Sequence, residues 1–169
     1  MSVVVAKVKD NCIEVAADSI CVAGWSIIPA SNAKVSKLFK HNGMIIGGCG
    51  LAEENSLFSH YIKTHTIDVM DEAHLLTFLK EFKDWKKEYN GDERIHNEYI
   101  LAYKKKCYGI DNMYVFEIKD YYAIGAGQDF ASGAMYMGAS ATDAVRAACL
   151  HSAMVCEPVV CEKIEWEND

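Results

Sequence analysis

Met1-Ser2-Val3-Val4-Val5-Ala6-Lys7-Val8-Lys9-Asp10-Asn11-Cys12-Ile13-Glu14-Val15-Ala16-Ala17-Asp18-Ser19 opens the chain, and its reading decides the fold. Val3-Val4-Val5-Ala6 is an apolar run that reads as a buried strand starting at once, so no leader, linker or targeting segment is expected ahead of it. Asp10-Asn11 tolerates the positive φ of a tight hairpin, which makes residues 3–9 and 12–18 two joined strands. Ser2 becomes the N-terminus once the initiator methionine is trimmed, and one residue then carries both a hydroxyl and a free α-amine. The amine's reference pKa is about 7.7–8.0, so it can serve as the hydroxyl's own base. Serine is a common second residue, and alone it decides nothing.

The 169 residues suffice for one domain with a substantial core, and a single domain over 1–169 is expected. Half of them are apolar and only two are proline, a compact globular composition. No apolar stretch approaches the roughly 18 residues that cross a membrane. A formal charge of −7 without a basic block argues against nucleic acid. Seven cysteines, an odd number mostly in apolar contexts, suit reduced thiols and a cytoplasmic location better than a disulfide framework. Cys149-x-His151 with Cys156 and Cys161 invites a zinc reading. It lacks a CxxC pair, and Cys149 and Cys156 are spaced to share a core-facing side of one helix.

Residues 19–28 read as a third extended piece and Lys34–Phe39 as an alternating one. Asn42-Gly43 is the strongest hairpin signal, and Met44-Ile45-Ile46 returns from it. Gly47-Gly48-Cys49-Gly50 lets backbone approach something closely. Helices are expected from Ala52 to about Thr66, with Glu53 and Glu54 at its positive end, and from about Asp71 to Tyr89, with Leu75, Leu79, Phe82 and Trp85 as an apolar stripe. Strands follow at Tyr99–Cys107, Met113–Ile118 and Tyr122–Ala126, with a turn at Gly109-Ile110-Asp111-Asn112. Helices over 128–138 and 141–156 and a strand over 159–166 complete the chain. Helices grouped between groups of strands imply largely antiparallel sheets layered with helices.

Four local sequences carry a resemblance. Ile13-Glu14-Val15-Ala16-Ala17-Asp18-Ser19 resembles the second strand of proteasome β-subunits and the bacterial HslV peptidase. Counting back from Asp18 without a gap puts Ser2 on that family's N-terminal threonine nucleophile, and counting forward puts Lys34, in Ala33-Lys34-Val35-Ser36-Lys37-Leu38, on its catalytic lysine. Gly50-Leu51-Ala52-Glu53-Glu54 resembles the turn into the family's first helix. Ala123-Ile124-Gly125-Ala126-Gly127-Gln128-Asp129-Phe130-Ala131 resembles the Gly-Ser-Gly segment that opens its third. The resemblance spans about residues 2–160.

It implies an α+β fold, a four-layer αββα sandwich of two antiparallel sheets flanked by helices, and an N-terminal-nucleophile peptidase. Ser2 would be the nucleophile, Lys34 its electrostatic partner and Asp18 the anchor of that lysine. Backbone N–H groups would form the oxyanion hole, with Gly50 the better match and Gly47 the second. No cofactor is required, and an Na+ or Mg2+ ion held by the carbonyls of Ala153, Cys156 and Val159 is implied by the HslV-like pattern. The implied partners are further copies of the chain in a double hexameric or heptameric ring, an AAA+ ATPase unfoldase and polypeptide substrates. Tyr61, Trp85 and Tyr89 are candidates for contacts beyond one core. The chain departs from the pattern at Ala126, where the family has serine, and at Met154, where it has aspartate. These losses, and a retained Met1, would favour an inactive ring subunit acting as scaffold or binding module.

Overall fold

The computed structural model describes residues 1–33, 36–67 and 69–167. β1 (Val4–Val8) and β2 (Cys12–Ala17) pair antiparallel, with Val4 opposite Ala17 and Val8 opposite Ile13. They form the centre of a four-stranded sheet, flanked by β10 (Tyr121–Ile124) on β1 and β11 (Val160–Glu165) on β2. A second antiparallel sheet runs β5 (Leu38–His41), β6 (Met44–Cys49), β7 (Glu98–Tyr103), β8 (Lys106–Asp111) and β9 (Tyr114–Glu117). Between β2 and β5 a small hairpin, β3 (Cys21–Ala23) and β4 (Ser26–Ile28), stands apart from both sheets and carries the fully exposed Trp25 at its turn.

The apolar run at the N-terminus has no polar alternation because both faces of β1 are covered. Successive side chains of a strand point to opposite faces. Val4 and Ala6 enter the core between the sheets, with Ile13, Val15, Ile45, Ile100 and Ile124. Val3 and Val5 face the other way, onto Ala131, Met135, Ala144, Val145 and Ala148 of α3 (Gln128–Tyr136) and α4 (Ala141–His151). The five-stranded sheet is covered on its outer face by α1 (Ala52–Thr64) and α2 (Glu72–Asn90), where Phe58, Ile62, Leu75, Leu79 and Phe82 pack on Ile46, Tyr99 and Leu101. The result is the four-layer αββα arrangement. No helix among the described residues is long and apolar enough to cross a membrane.

Local chemistry explains most boundaries. Asp71 caps α2 by accepting the His74 N–H at 2.9 Å, and Gly91, at φ 81°, ends it in the left-handed conformation. Three expectations are corrected. The strand expected over Tyr99–Cys107 is two strands, because the chain turns at Lys104, at φ 53°; the glycine signal at Gly109 lies inside β8, where the Phe116 ring occupies the space of a side chain. The last helix stops at His151 rather than residue 156. The segment after it folds back onto the end of β2, where Ser19 donates from its N–H to the Cys156 carbonyl at 3.1 Å and from its Oγ to the Pro158 carbonyl at 2.6 Å. Tyr61 is a core residue at 1 % exposure, whereas Tyr89 is exposed.

Candidate active site

Asp18 follows β2, 1 % exposed, and each of its oxygens accepts two hydrogen bonds. Oδ1 takes the Val3 N–H at 2.8 Å and the Lys37 ammonium at 2.6 Å. Oδ2 takes the Ile20 N–H at 3.0 Å and the Cys156 N–H at 3.3 Å. A buried carboxylate is tolerable only when paired and fully hydrogen-bonded, and here it is both. One side chain thereby fixes the residue after Ser2, the turn after β2, the segment after α4 and a buried lysine.

The lysine that Asp18 holds is Lys37, immediately before β5. Lys34, expected from counting forward from Asp18, lies outside the described residues. The signal for Lys37 was in the β5–β6 register. The pairing of His41 with Met44 and of Leu38 with Gly47 around the Asn42-Gly43 turn sets residue 37 opposite Gly48, whose N–H donates to the Lys37 carbonyl at 3.0 Å.

Ser2 is buried at 4 % exposure beneath the half-exposed Met1. Its carbonyl accepts the Gly127 N–H at 3.2 Å, and its hydroxyl donates to the Met1 carbonyl. Its nitrogen is in the peptide bond to Met1. The loop before α3 reaches Ser2 only because it is glycine-rich: a Cβ on Gly125, at φ 89°, would stand 2.6 Å from the Ser2 carbonyl oxygen and 2.8 Å from Cys49 Sγ. Ala126, between the two glycines, is exposed and offers no polar group. Cys49 lies beside Ser2, and burial pushes its thiol up to about 12, so it is a neutral thiol and no competing nucleophile near neutrality.

Gly50 and Gly47, the two candidate oxyanion donors, are placed differently. Gly50 lines the cleft beside Ser2, at φ 137°, and a Cβ there would collide with Asn97 Oδ1. Asn97 fixes this turn by accepting the Leu51 N–H at 2.6 Å and donating to the Leu51 carbonyl at 2.9 Å. Glu54, 2 % exposed, holds Asn97 in turn through its N–H at 2.9 Å, and also takes the Lys86 ammonium at 2.6 Å. Gly47 does not line the cleft. It is a paired residue of β6 packed against β1, where a Cβ would stand 2.5 Å from the Val4 side chain. Sequence reasoning missed Asn97 and Glu54, whose roles depend on a contact between residues more than forty positions apart.

Glu54, Asp92 and His96 bring three potential metal-ligand atoms within 4.8 Å of one another. The cation there is already Lys86, 2.6 Å from Glu54 and 3.2 Å from Asp92, so the cluster reads as an ion-pair network supporting Asn97. Of the three carbonyls implied for an Na+ or Mg2+ ion, that of Cys156 accepts the Ser19 N–H, and the adjoining Pro158 carbonyl also faces Ser19. These two bonds tie that segment to the end of β2. Met154 is half-exposed.

The cleft, of about 840 Å3, is bounded by Met1, Ser2 and Lys37 at its floor, the β3 hairpin on one side and α1 on the other. It sets a hydroxyl, a buried lysine and a backbone turn that requires glycine around space large enough for a peptide.

No protein-family model matches the chain, and comparison with curated proteins finds no match. Solved structures share its fold. Thiobacillus denitrificans BPH, in complex with epoxomicin, superposes with a TM-score of 0.89 at 21% identity, covering 98% of this chain and 100% of that one. Eukaryotic HslV from Trypanosoma brucei gives 0.72 at 19% identity, covering 97% and 99%. Anbu, an ancestral beta-subunit from Yersinia bercovieri, gives 0.72 at 17% identity, covering 96% and 81%. The chain has the HslV/proteasome-like N-terminal-nucleophile hydrolase fold.

Proposed function

We propose that this chain is an N-terminal-nucleophile peptidase of the proteasome/HslV type that cuts polypeptides with Ser2 after Met1 is removed. The observation that carries the reading is the Asp18 carboxylate, which joins the Val3 N–H beside Ser2 to the Lys37 ammonium at the floor of the cleft. Removal of Met1 converts the Ser2 nitrogen from an amide into an amine. The Lys37 ammonium then disfavours protonation of that amine, while Asp18 holds the lysine in place. The amine takes the hydroxyl proton as Oγ attacks the substrate carbonyl. The Gly50 N–H faces the developing oxyanion, and the amine returns the proton to the leaving nitrogen. Water, deprotonated by the same amine, then hydrolyses the ester on Ser2.

Among the described residues Lys37 is the lysine in contact with Asp18, so this reading gives it the electrostatic part that the resemblance gave Lys34. Gly47 drops out of the proposed oxyanion hole, and no step uses a metal ion. The proposed assembly is a double hexameric or heptameric ring of identical subunits in the cytoplasm, fed by an AAA+ ATPase. Exposed apolar side chains at Trp25 and Ile27, and separately at Tyr136, Met137 and Leu150, support self-association. A second reading, an inactive ring subunit serving as scaffold, is favoured by Ala126, which offers no polar group where the resemblance has serine. The test is turnover of peptide-amide substrates by protein whose intact mass shows loss of Met1, against Ser2→Ala. Turnover that requires Ser2 supports the peptidase; none, with the ring assembled and an ATPase supplied, leaves the scaffold.

A further inference from the structure

The α1 wall of the cleft is built from one face of that helix: Ala52, Asn55, Ser56, Ser59, His60 and Lys63, at alternating spacings of three and one. Except for Ala52 every side chain on this face is polar, and the face ends in a cation. Asp and Glu outnumber Lys and Arg 24 to 17 in the chain, yet among the described residues none lines the cleft. The carboxylates of α1 are turned elsewhere: Glu54 is buried on Lys86, and Glu53 accepts from Asn90 at 3.1 Å. Of the two lysines in the lining, Lys37 is spent on Asp18. Lys63 is exposed and, among the described residues, has no ion-pair partner. A lysine in the last turn of a helix is favoured by the helix dipole, but the dipole does not account for a wall cleared of carboxylates.

We propose that this cleft selects polypeptides carrying a carboxylate side chain a few residues from the bond to be cut, and that Lys63 is the residue that reads it. The spacing follows from the helix. Ala52 to Lys63 is about 16 Å along the axis at 1.5 Å per residue, shortened by the reach of the lysine stem. An extended peptide rising about 3.3 Å per residue places the reading position roughly three to five residues from the scissile carbonyl. A cation in a cleft with no opposing charge among the described residues concentrates anionic ligands, and the effect falls with ionic strength. His60, the neighbouring side chain on the same face, adds a hydrogen-bond donor.

The proposal rests on the peptidase reading only for the position of the scissile bond, and it is tested by binding. Fluorescently labelled peptides identical except for Asp, Asn or Lys, scanned over those positions, are titrated by anisotropy onto the full-length Ser2→Ala chain. At one position the Asp peptide should bind about threefold to tenfold tighter than the Asn peptide, and the Lys peptide weaker than both. Lys63→Glu should reverse the order, Lys63→Met abolish it, and about 0.5 M NaCl narrow it. Equal binding of the three peptides at every position, no binding of any, or an order unchanged in Lys63→Glu would overturn the proposal. Charge-selective binding by a Met1-free wild-type chain that cuts nothing would overturn the peptidase reading and leave this one standing.

Discussion

Replacing Asp18 by Asn removes one charge from a pair in which both side chains are nearly fully buried. The Lys37 ammonium then has no counter-charge 2.6 Å away. An Asn amide can offer one oxygen to the Val3 N–H, but its NH2 group then faces the Ile20 and Cys156 N–H groups as a donor against donors. Breaking a buried pair from one side costs about 3–5 kcal/mol, and lost hydrogen bonds at a charged acceptor add to it. With a urea m-value of about 2–3 kcal/mol/M for a chain of this size, the midpoint should fall by roughly 1–2.5 M, at fixed protein concentration. Asp18→Asn with Lys37→Met should recover much of the loss, because no charge remains to be stranded. The assay is urea unfolding followed by tryptophan fluorescence. A midpoint shift for Asp18→Asn near zero, or a double variant less stable than the single one, would refute the claim that this pair organises the site.

Gly50→Ala forces a side chain into Asn97 at a φ that favours glycine, so it should lower stability by about 1–3 kcal/mol by urea unfolding. It should also lower kcat for peptide amides more than it raises KM. Among the thiols, Cys49 is buried, with its pKa pushed up to about 12, while Cys21 lines the cleft; alkylation at pH 7.5 mapped by mass spectrometry should label Cys21 well before Cys49. Burial alone would raise the Glu14 carboxyl, but hydrogen bonds from Lys9 at 2.8 Å and Lys163 at 3.0 Å more than offset it and hold it below the usual range. The stability this gives is present above the unfolded-state pKa of about 4.3 and is lost as pH falls through the lower folded-state value, so thermal melts below about pH 4.5 should be less pH-dependent in Glu14→Gln than in the wild type.

The layers were legible because Val3-Val4-Val5-Ala6 and Val15-Ala16-Ala17 are apolar on both faces of their strands and the helices carry periodic stripes. The αββα sandwich follows from those patterns with the resemblance. What failed was local and had physical causes. The β7–β8 turn is made by lysines, with Lys104 taking a positive φ that nothing in Tyr103-Lys104-Lys105-Lys106 signals. The segment after His151 keeps helix-forming residues but is drawn off by its bonds to Asp18 and Ser19. Ser2 and Asp18 were readable because they flank one hairpin, whose register fixes their distance along the chain. The lysine was harder. The β3–β4 hairpin intervenes, and only the register about Asn42-Gly43, not a count from Asp18, brings Lys37 to the site. Gly50 was identifiable as a special backbone position, but Asn97, which makes it obligatory, comes from a distant strand end.

The central claim is that Ser2, once its amine is free, is made nucleophilic by Lys37 held on Asp18. Intact-mass analysis of Met1-free protein incubated with epoxomicin tests this most directly. The account predicts one adduct mapping to Ser2, absent from Ser2→Ala, and slowed by a factor of about 100 or more in Lys37→Ala while Lys34→Ala reacts at close to the wild-type rate. No adduct on Met1-free protein, or an adduct whose rate is indifferent to Lys37, would contradict it.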